Sequence, residues 1–240
     1  MKPAHHYAHM RDLSPTRRLG LITWVTLMCL LAWDFSGLDV GLMSAIADSH
    51  GFPLRDNWWF ETVLHTRAKQ LAIVVYLALL VMVWWPQGVL RQRTRWQRSE
   101  IMVGITLSLI TISTLKSFSL TSCPWELQAF GGQALYVSHW LWGLPDGGSG
   151  RCFPGGHVSS AFAFLGLALP WLVSDSASQR ATGLRILFMV VLVGGVLGLT
   201  QTLRGAHYPS HTLWTGFICW TVVLANHLLF GWLAQRRTTH

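Results

Sequence analysis

The sequence predicts an all-α fold: a polytopic bundle of six transmembrane helices, with an interfacial outer-face insertion between the first and second spans. Of its 240 residues, 51% are hydrophobic and only 12% charged, at a mean hydropathy of +0.38, whereas roughly a quarter of a soluble domain is charged. Apolar runs near membrane length alternate with short basic loops, the pattern of a multi-span protein. Fourteen Trp residues, many at the ends of those runs, fit interfacial belts better than a water-soluble core. No repeat, low-complexity tract or long linker breaks the chain, so residues 1–240 are expected to form a single membrane domain.

Taken in order, residues 1–18 are polar and basic, with Lys2, Arg11, Arg17 and Arg18. The first span is expected over 19–34, slightly short of the roughly 20 residues a crossing needs. It is followed by the polar DFSGLD without a small-x-small cleavage site, so it reads as an uncleaved helix and not as a signal peptide. The stretch from Gly37 to Lys69 is half apolar and interrupted by Gly41, Gly51 and Pro53. It reads as an interfacial or re-entrant excursion, with Trp58 and Trp59 at headgroup depth. Further spans are expected over 70–86, 101–118, 157–174, 186–203 and 211–234, and the chain closes with Arg236 and Arg237.

Six spans place both termini on one side, together with the loops around 91–98 and 175–185. That side carries 12 of the 18 Lys and Arg, and the positive-inside bias makes it cytoplasmic. The formal charge of +8 is thus distributed as a topology signal in short loops, which argues against a nucleic-acid partner. Lys116, the PGGH stretch and RGAHYPSH then all emerge on the opposite, outer face.

Each of these carries chemistry. Lys116 sits near the outer end of an apolar helix, where it either snorkels to the interface or meets an anion. Gly155 and Gly156 permit a tight turn whose amides, with the N-terminus of the following helix, suit phosphate, and they deliver His157 beside it. Arg204, His207 and His211 lie within eight residues. His is a nucleophile or acid near neutral pH, and Arg matches phosphate oxygens bidentately. A bound zinc is the rival reading of the histidines, but no Cys-x-x-Cys or His-Glu-x-x-His pattern is present, so neither metal nor cofactor is expected.

The order of these pieces resembles the type 2 phosphatidic acid phosphatase superfamily of metal-independent membrane phosphatases, over a motif-bearing core of about 100–230. Lys116 is followed by six residues and then Cys123-Pro124 where the family has Arg-Pro. The second motif reads Pro154-Gly155-Gly156-His157 against Pro-Ser-Gly-His. In the third, His207 holds the His position, Thr200 and Gln201 stand for Ser-Arg, and His211 stands for Asp. The resemblance implies that His207 is the nucleophile that becomes phosphohistidine and that His157 protonates the leaving group. Lys116 and the Gly155 and Gly156 amides would hold phosphate, with Arg204 or Arg151 replacing the lost arginines. Gln201 and His211 would support the site, or an acid from the first half, Asp34, Asp39, Asp56 or Glu61, would orient His207.

The implied substrate is a lipid phosphate or pyrophosphate of the lipid A, phosphatidylglycerol phosphate or undecaprenyl pyrophosphate class. A lipid phosphotransferase and a non-catalytic lipid-phosphate binder are the alternatives. The expected location is a bacterial inner membrane with the site facing the periplasm, and no obligate protein partner is inferred. Cys29 and Cys219 fall inside spans as apolar fillers. Cys123 and Cys152 fall on the outer face, either joined as a disulfide or as two free thiols. Gly194 and Gly198 have the small-xxx-small spacing of close helix packing.

Overall fold

The computed structural model describes residues 15–238, so most of the basic segment expected over 1–18 lies outside the described residues. Among the described residues the chain is helical, with two isolated β-bridges and no strand. The helices are α1 (Pro15–Phe35), α2 (Leu38–Ile46), α3 (Trp59–Met82), α4 (Arg95–Phe118), α5 (Ser159–Leu172), α6 (Ala177–Leu203) and α7 (Pro209–Thr238). In α3 the first part, Trp59–Arg67, is π-helical. A 3₁₀ turn over Ala163–Leu167 interrupts α5.

Five helices, α1, α3, α4, α6 and α7, are long and apolar enough to cross a membrane. This is one fewer than expected. The span predicted over 157–174 is the shorter α5, which at about 1.5 Å per residue rises roughly 20 Å against a hydrocarbon core of roughly 30 Å. It is enclosed by its neighbours. Val158, Ala161, Phe162, Leu165 and Leu169 form the main core with Ile112 of α4, Leu197 of α6, and Cys219 and Val223 of α7. A helix surrounded by protein has no lipid face to match.

Most helices also start ahead of the spans read from sequence, α6 at Ala177 where 186 was expected, and in two of them the change bears on local structure or the site. The α4 helix begins at Arg95, ahead of the apolar run, because Thr94 and Gln97 form a capping box with bonds of 3.2 and 3.1 Å. The next turn is tied in by the Arg98 guanidinium, which donates to the Val83 and Arg93 carbonyls at 3.1 and 3.0 Å. The α3 helix begins at Trp59 where 70 was expected, so His65 and Lys69 stand on a spanning helix.

Gly194 and Gly198 do mark close packing. A Cβ on Gly194 would lie 2.4 Å from Cε1 of Phe162, and one on Gly198 2.2 Å from Cγ2 of Thr212. The α6 helix therefore meets α5 at one glycine and α7 at the other, immediately beside His211. The segment between α1 and α3 packs at this same end, with Met43 and Phe52 against Leu127, Phe130, Ala134 and Tyr208.

Candidate active site

The third motif is a turn whose shape is dictated by glycine. Gly205 has φ +73°, and a Cβ there would lie 2.2 Å from Cδ2 of Phe52, so both conformation and space exclude a side chain. Its carbonyl accepts from Trp125 N–H at 3.0 Å, and the Gln201 carbonyl accepts from the amides of Ala206 and His207 at 2.9 and 3.3 Å. His207 is thereby fixed and buried between α6 and α7. Its Nδ1 lies 3.3 Å from Sγ of Cys152, which is joined to Cys123 in a disulfide with a Cα–Cα distance of 5.2 Å. Of the two readings of these cysteines, the paired one holds.

The second motif faces this turn. The Gly155 amide lies 3.4 Å from the His211 carbonyl, which ties the two motifs together and takes Gly155 out of the expected anion cradle. Gly156 lines the cavity, and a Cβ there would stand 3.0 Å from Cδ and 3.1 Å from Nζ of Lys116. Among the described residues, the amides of Gly156, His157 and Val158 have no backbone partner, as the first turn of a helix requires, so an anion can be held there. We expect Gly156→Ala to displace the Lys116 ammonium and crowd the cradle, lowering kcat/KM for phosphate release by about 10²-fold. Near-wild-type steady-state kinetics would exclude that placement.

His157 is buried, and its Nε2 donates to the Leu64 carbonyl at 2.9 Å while its Nδ1 has no partner. Its ring stacks on His65 with centroids 4.3 Å apart. Burial first, then the nearby positive groups His65, Lys69 and Arg204, push its pKa down to about 4. Burial likewise pushes His207 down to about 3, helped by Lys116 and His157 and opposed by the Cys152 backbone carbonyl. Both rings are neutral near pH 7. Because a disulfide sulfur can only accept, the Cys152 contact puts the proton of His207 on Nδ1 and leaves the Nε2 lone pair basic.

These groups share a cavity of about 560 Å³. Lys116, Gly156, His157, Gln201 and His207 line its polar end. The buried Gln201 has an unpartnered Nε2 donor. The cavity runs down between α3 and α4 past Ala72, Ile73 and Leu109, and Tyr76 bonds Thr106 at 2.9 Å across it.

The structure does not bring every expected residue to this space. Arg204 is buried but does not line it. Its Nε donates to the Arg55 carbonyl at 2.8 Å, and a terminal nitrogen lies 4.0 Å from Glu61. Arg151 is exposed, with its backbone amide bonded to Ser119, and stands apart from the cavity. The His211 side chain is buried among the rings of His139, Phe153 and Tyr208 with neither nitrogen bonded. None of the acids proposed to orient His207 does so. Asp34 accepts from Trp140 and Trp214, Asp39 from Trp33 and Ser210, and Glu61 faces Arg204.

Conversely, His65, Lys69, Trp125, Ser159 and Ser160 line the cavity and were not singled out in the sequence. The signal for the first two was LHTRAK itself, three ionisable groups at the head of an apolar run. Among the described residues, Cys123, Cys152 and His207 have metal-ligand spacing, but the disulfide removes both thiolates.

A family model described as the PAP2 superfamily matches residues 99–235. Comparisons with curated proteins and with solved structures returned no match.

Proposed function

The chain belongs to the PAP2 superfamily, whose members are phosphatases acting on phosphate esters, and on that premise we propose that it removes a phosphate or pyrophosphate group from a lipid by way of a phosphohistidine on His207. The observation that carries this reading is the shape of the cavity. A nitrogen nucleophile, an ammonium and free amides stand at one end, and an apolar cleft between two membrane-length helices leads away from them.

The substrate phosphate brings a proton to Nδ1 of His157 on binding. In the first step the His207 Nε2 lone pair then attacks phosphorus, the bond to the lipid oxygen breaks, and that oxygen takes the proton from Nδ1 of His157. In the second, water attacks phosphorus as the P–N bond breaks, and Nδ1 of His157 takes the water's proton. Lys116, the Gly156 and His157 amides and Gln201 hold the phosphoryl oxygens as charge moves between them, which is where catalysis of phosphoryl transfer resides. The Nε2–Leu64 bond keeps the other nitrogen of His157 free for these transfers.

The same reading sets the topology. The α5 helix links the level of Lys116, which lies over Gly156, to that of Arg93, whose guanidinium lies over Trp171. With five full spans this gives six crossings, both termini and the basic loops in the cytoplasm, and the site on the periplasmic face of a bacterial inner membrane.

Phosphate release from a panel of phosphorylated lipids, measured in detergent with chelator present, tests the proposal. Release should be insensitive to chelator and should require an amphiphile, and loss of activity on chelation would overturn the metal-free mechanism. Transfer of phosphate to a second lipid without free phosphate would assign a phosphotransferase. In the same assay Arg204→Ala, which removes a buried cation beside His157, should cost about tenfold. Arg151→Ala should stay within about twofold, and the reverse ordering would mean that Arg151 swings into the site.

A further inference from the structure

A histidine nucleophile needs its second nitrogen held, because the hydrogen bond made there fixes which nitrogen carries the proton and where the ring points. A carboxylate is the usual partner, yet no acid of this chain meets His207 among the described residues. Most acids at this end are engaged elsewhere, and Asp56 is exposed. Beside Asp34, Asp39 and Glu61, the carboxylate of Asp146 binds Ser122 through its amide at 2.6 Å and its hydroxyl at 2.7 Å. Glu126 accepts from the Cys123 amide at 2.8 Å and from the Ser149 hydroxyl at 2.5 Å. Both groups that engage the His207 side chain belong to Cys152: its Sγ lies 3.3 Å from Nδ1, and its backbone carbonyl is also near the ring. The sulfur lies 3.1 Å from the Ala206 carbonyl oxygen as well.

The sulfur is itself immobilised. Cys152 is fully buried, its amide donates to the Thr121 carbonyl at 2.9 Å, and its disulfide partner is fixed through Glu126. We propose that the Cys123–Cys152 disulfide is a positioning device for the nucleophile: Cys152 Sγ accepts the Nδ1 proton of His207 and so presents Nε2 to phosphorus. This rests on the reading of His207 as nucleophile given above.

The choice of sulfur has a chemical consequence. A neutral disulfide accepts weakly and adds no negative charge, so it orients the imidazole without raising its basicity as a carboxylate would. The nitrogen attacks less readily but leaves phosphorus more readily in the second step. The disulfide also masks a trap, since Cys123, Cys152 and His207 offer ligand atoms within 4.8 Å of one another. The reduced pair with His207 would form a Cys₂His set for zinc, so reduction must be tested with chelator present.

The test uses the full-length protein in detergent and two independent readings. Histidine nitrogen and carbon NMR, with the His207 signals assigned by their loss in His207→Gln, gives the tautomer directly. The oxidised protein should show Nδ1–H at His207. The reduced protein, whose thiol can donate as well as accept, and Cys123→Ala/Cys152→Ala should show a mixture or Nε2–H. In turnover, the double variant should lose about 10- to 100-fold in kcat, the range seen when an outer-shell partner of a functional imidazole is removed, with KM changed less than about twofold.

Adding His211→Asp to the double variant supplies a carboxylate four residues from His207. It should recover at least about tenfold of the lost kcat and move the acid limb of the pH–rate profile upward. A kcat within threefold of wild type in the double variant overturns the proposal. So does a loss that His211→Asp fails to recover, which would make the disulfide only a staple of the 119–156 loop. An Nε2–H tautomer in the oxidised protein overturns it whatever the activity does. An Nδ1–H tautomer in a protein that turns over no lipid phosphate leaves the positioning intact and removes the phosphatase reading instead.

Discussion

His207→Ala should reduce phosphate release from every lipid substrate by at least about 10⁴-fold, the scale on which a covalent nucleophile is lost. It should also abolish acid-labile labelling of the protein by substrate carrying radioactive phosphorus. The expectation follows from geometry. His207 is the cavity-lining imidazole whose Nδ1 is engaged by a group that can only accept, which leaves Nε2 as the basic nitrogen. Its low pKa of about 3 keeps it unprotonated throughout the neutral range, so no activating base is needed. Labelling that persists in the variant, measured by acid-quenched gel autoradiography, would move the covalent step to another residue. The stacked pair His65 and His157 would be the first to test.

His157→Ala should cost about 10²- to 10⁴-fold in kcat on lipid phosphates, the usual range for a general acid. It should cost much less on an aryl phosphate whose leaving group needs no proton. Equal losses on both substrates would make His157 a binding residue. Without substrate, burial first and then nearby positive charge hold its pKa near 4, so a proton must arrive with the substrate. An oxyanion against Nδ1 raises the bound-state pKa above that free value. Affinity must then rise as pH falls, through the window between the two values. Calorimetric titration with tungstate near neutral pH, in buffers of differing ionisation enthalpy, should show net proton uptake. It should vanish in His157→Ala, and release of protons on binding would contradict the assignment.

The sequence exposed those parts of the site that local chemistry fixes. Lys116, Gly156, His157 and His207 could be read because each sits at the end of an apolar run, and topology alone sends such ends to one face. Arg204 was misjudged, because its fate depends on where Arg55 and Glu61 fall, and a segment half apolar and broken by glycines does not declare its path. The same blindness hid His65 and Lys69. Their helix starts at Trp59 with π-helical turns, whose wider spacing no 3.6-residue periodicity detects. The short length and enclosure of α5 were not legible for a different reason: an apolar run reads alike whether lipid or protein surrounds it, and only the packing of Val158, Phe162 and Leu165 showed which.

The α3 helix borders the 560 Å³ cavity on its α4 side and a second, largely apolar space of about 310 Å³ toward α5 and α6, with Ala72, Ser160 and Phe164 lining both. No residue of α3 is buried. This wall of the site is therefore mechanically compliant, and acyl chains of the surrounding bilayer supply the lateral pressure that the protein's own packing does not. On the reading proposed above, bilayer thickness and chain saturation should then affect how firmly His65 and Lys69 are held at the cavity wall.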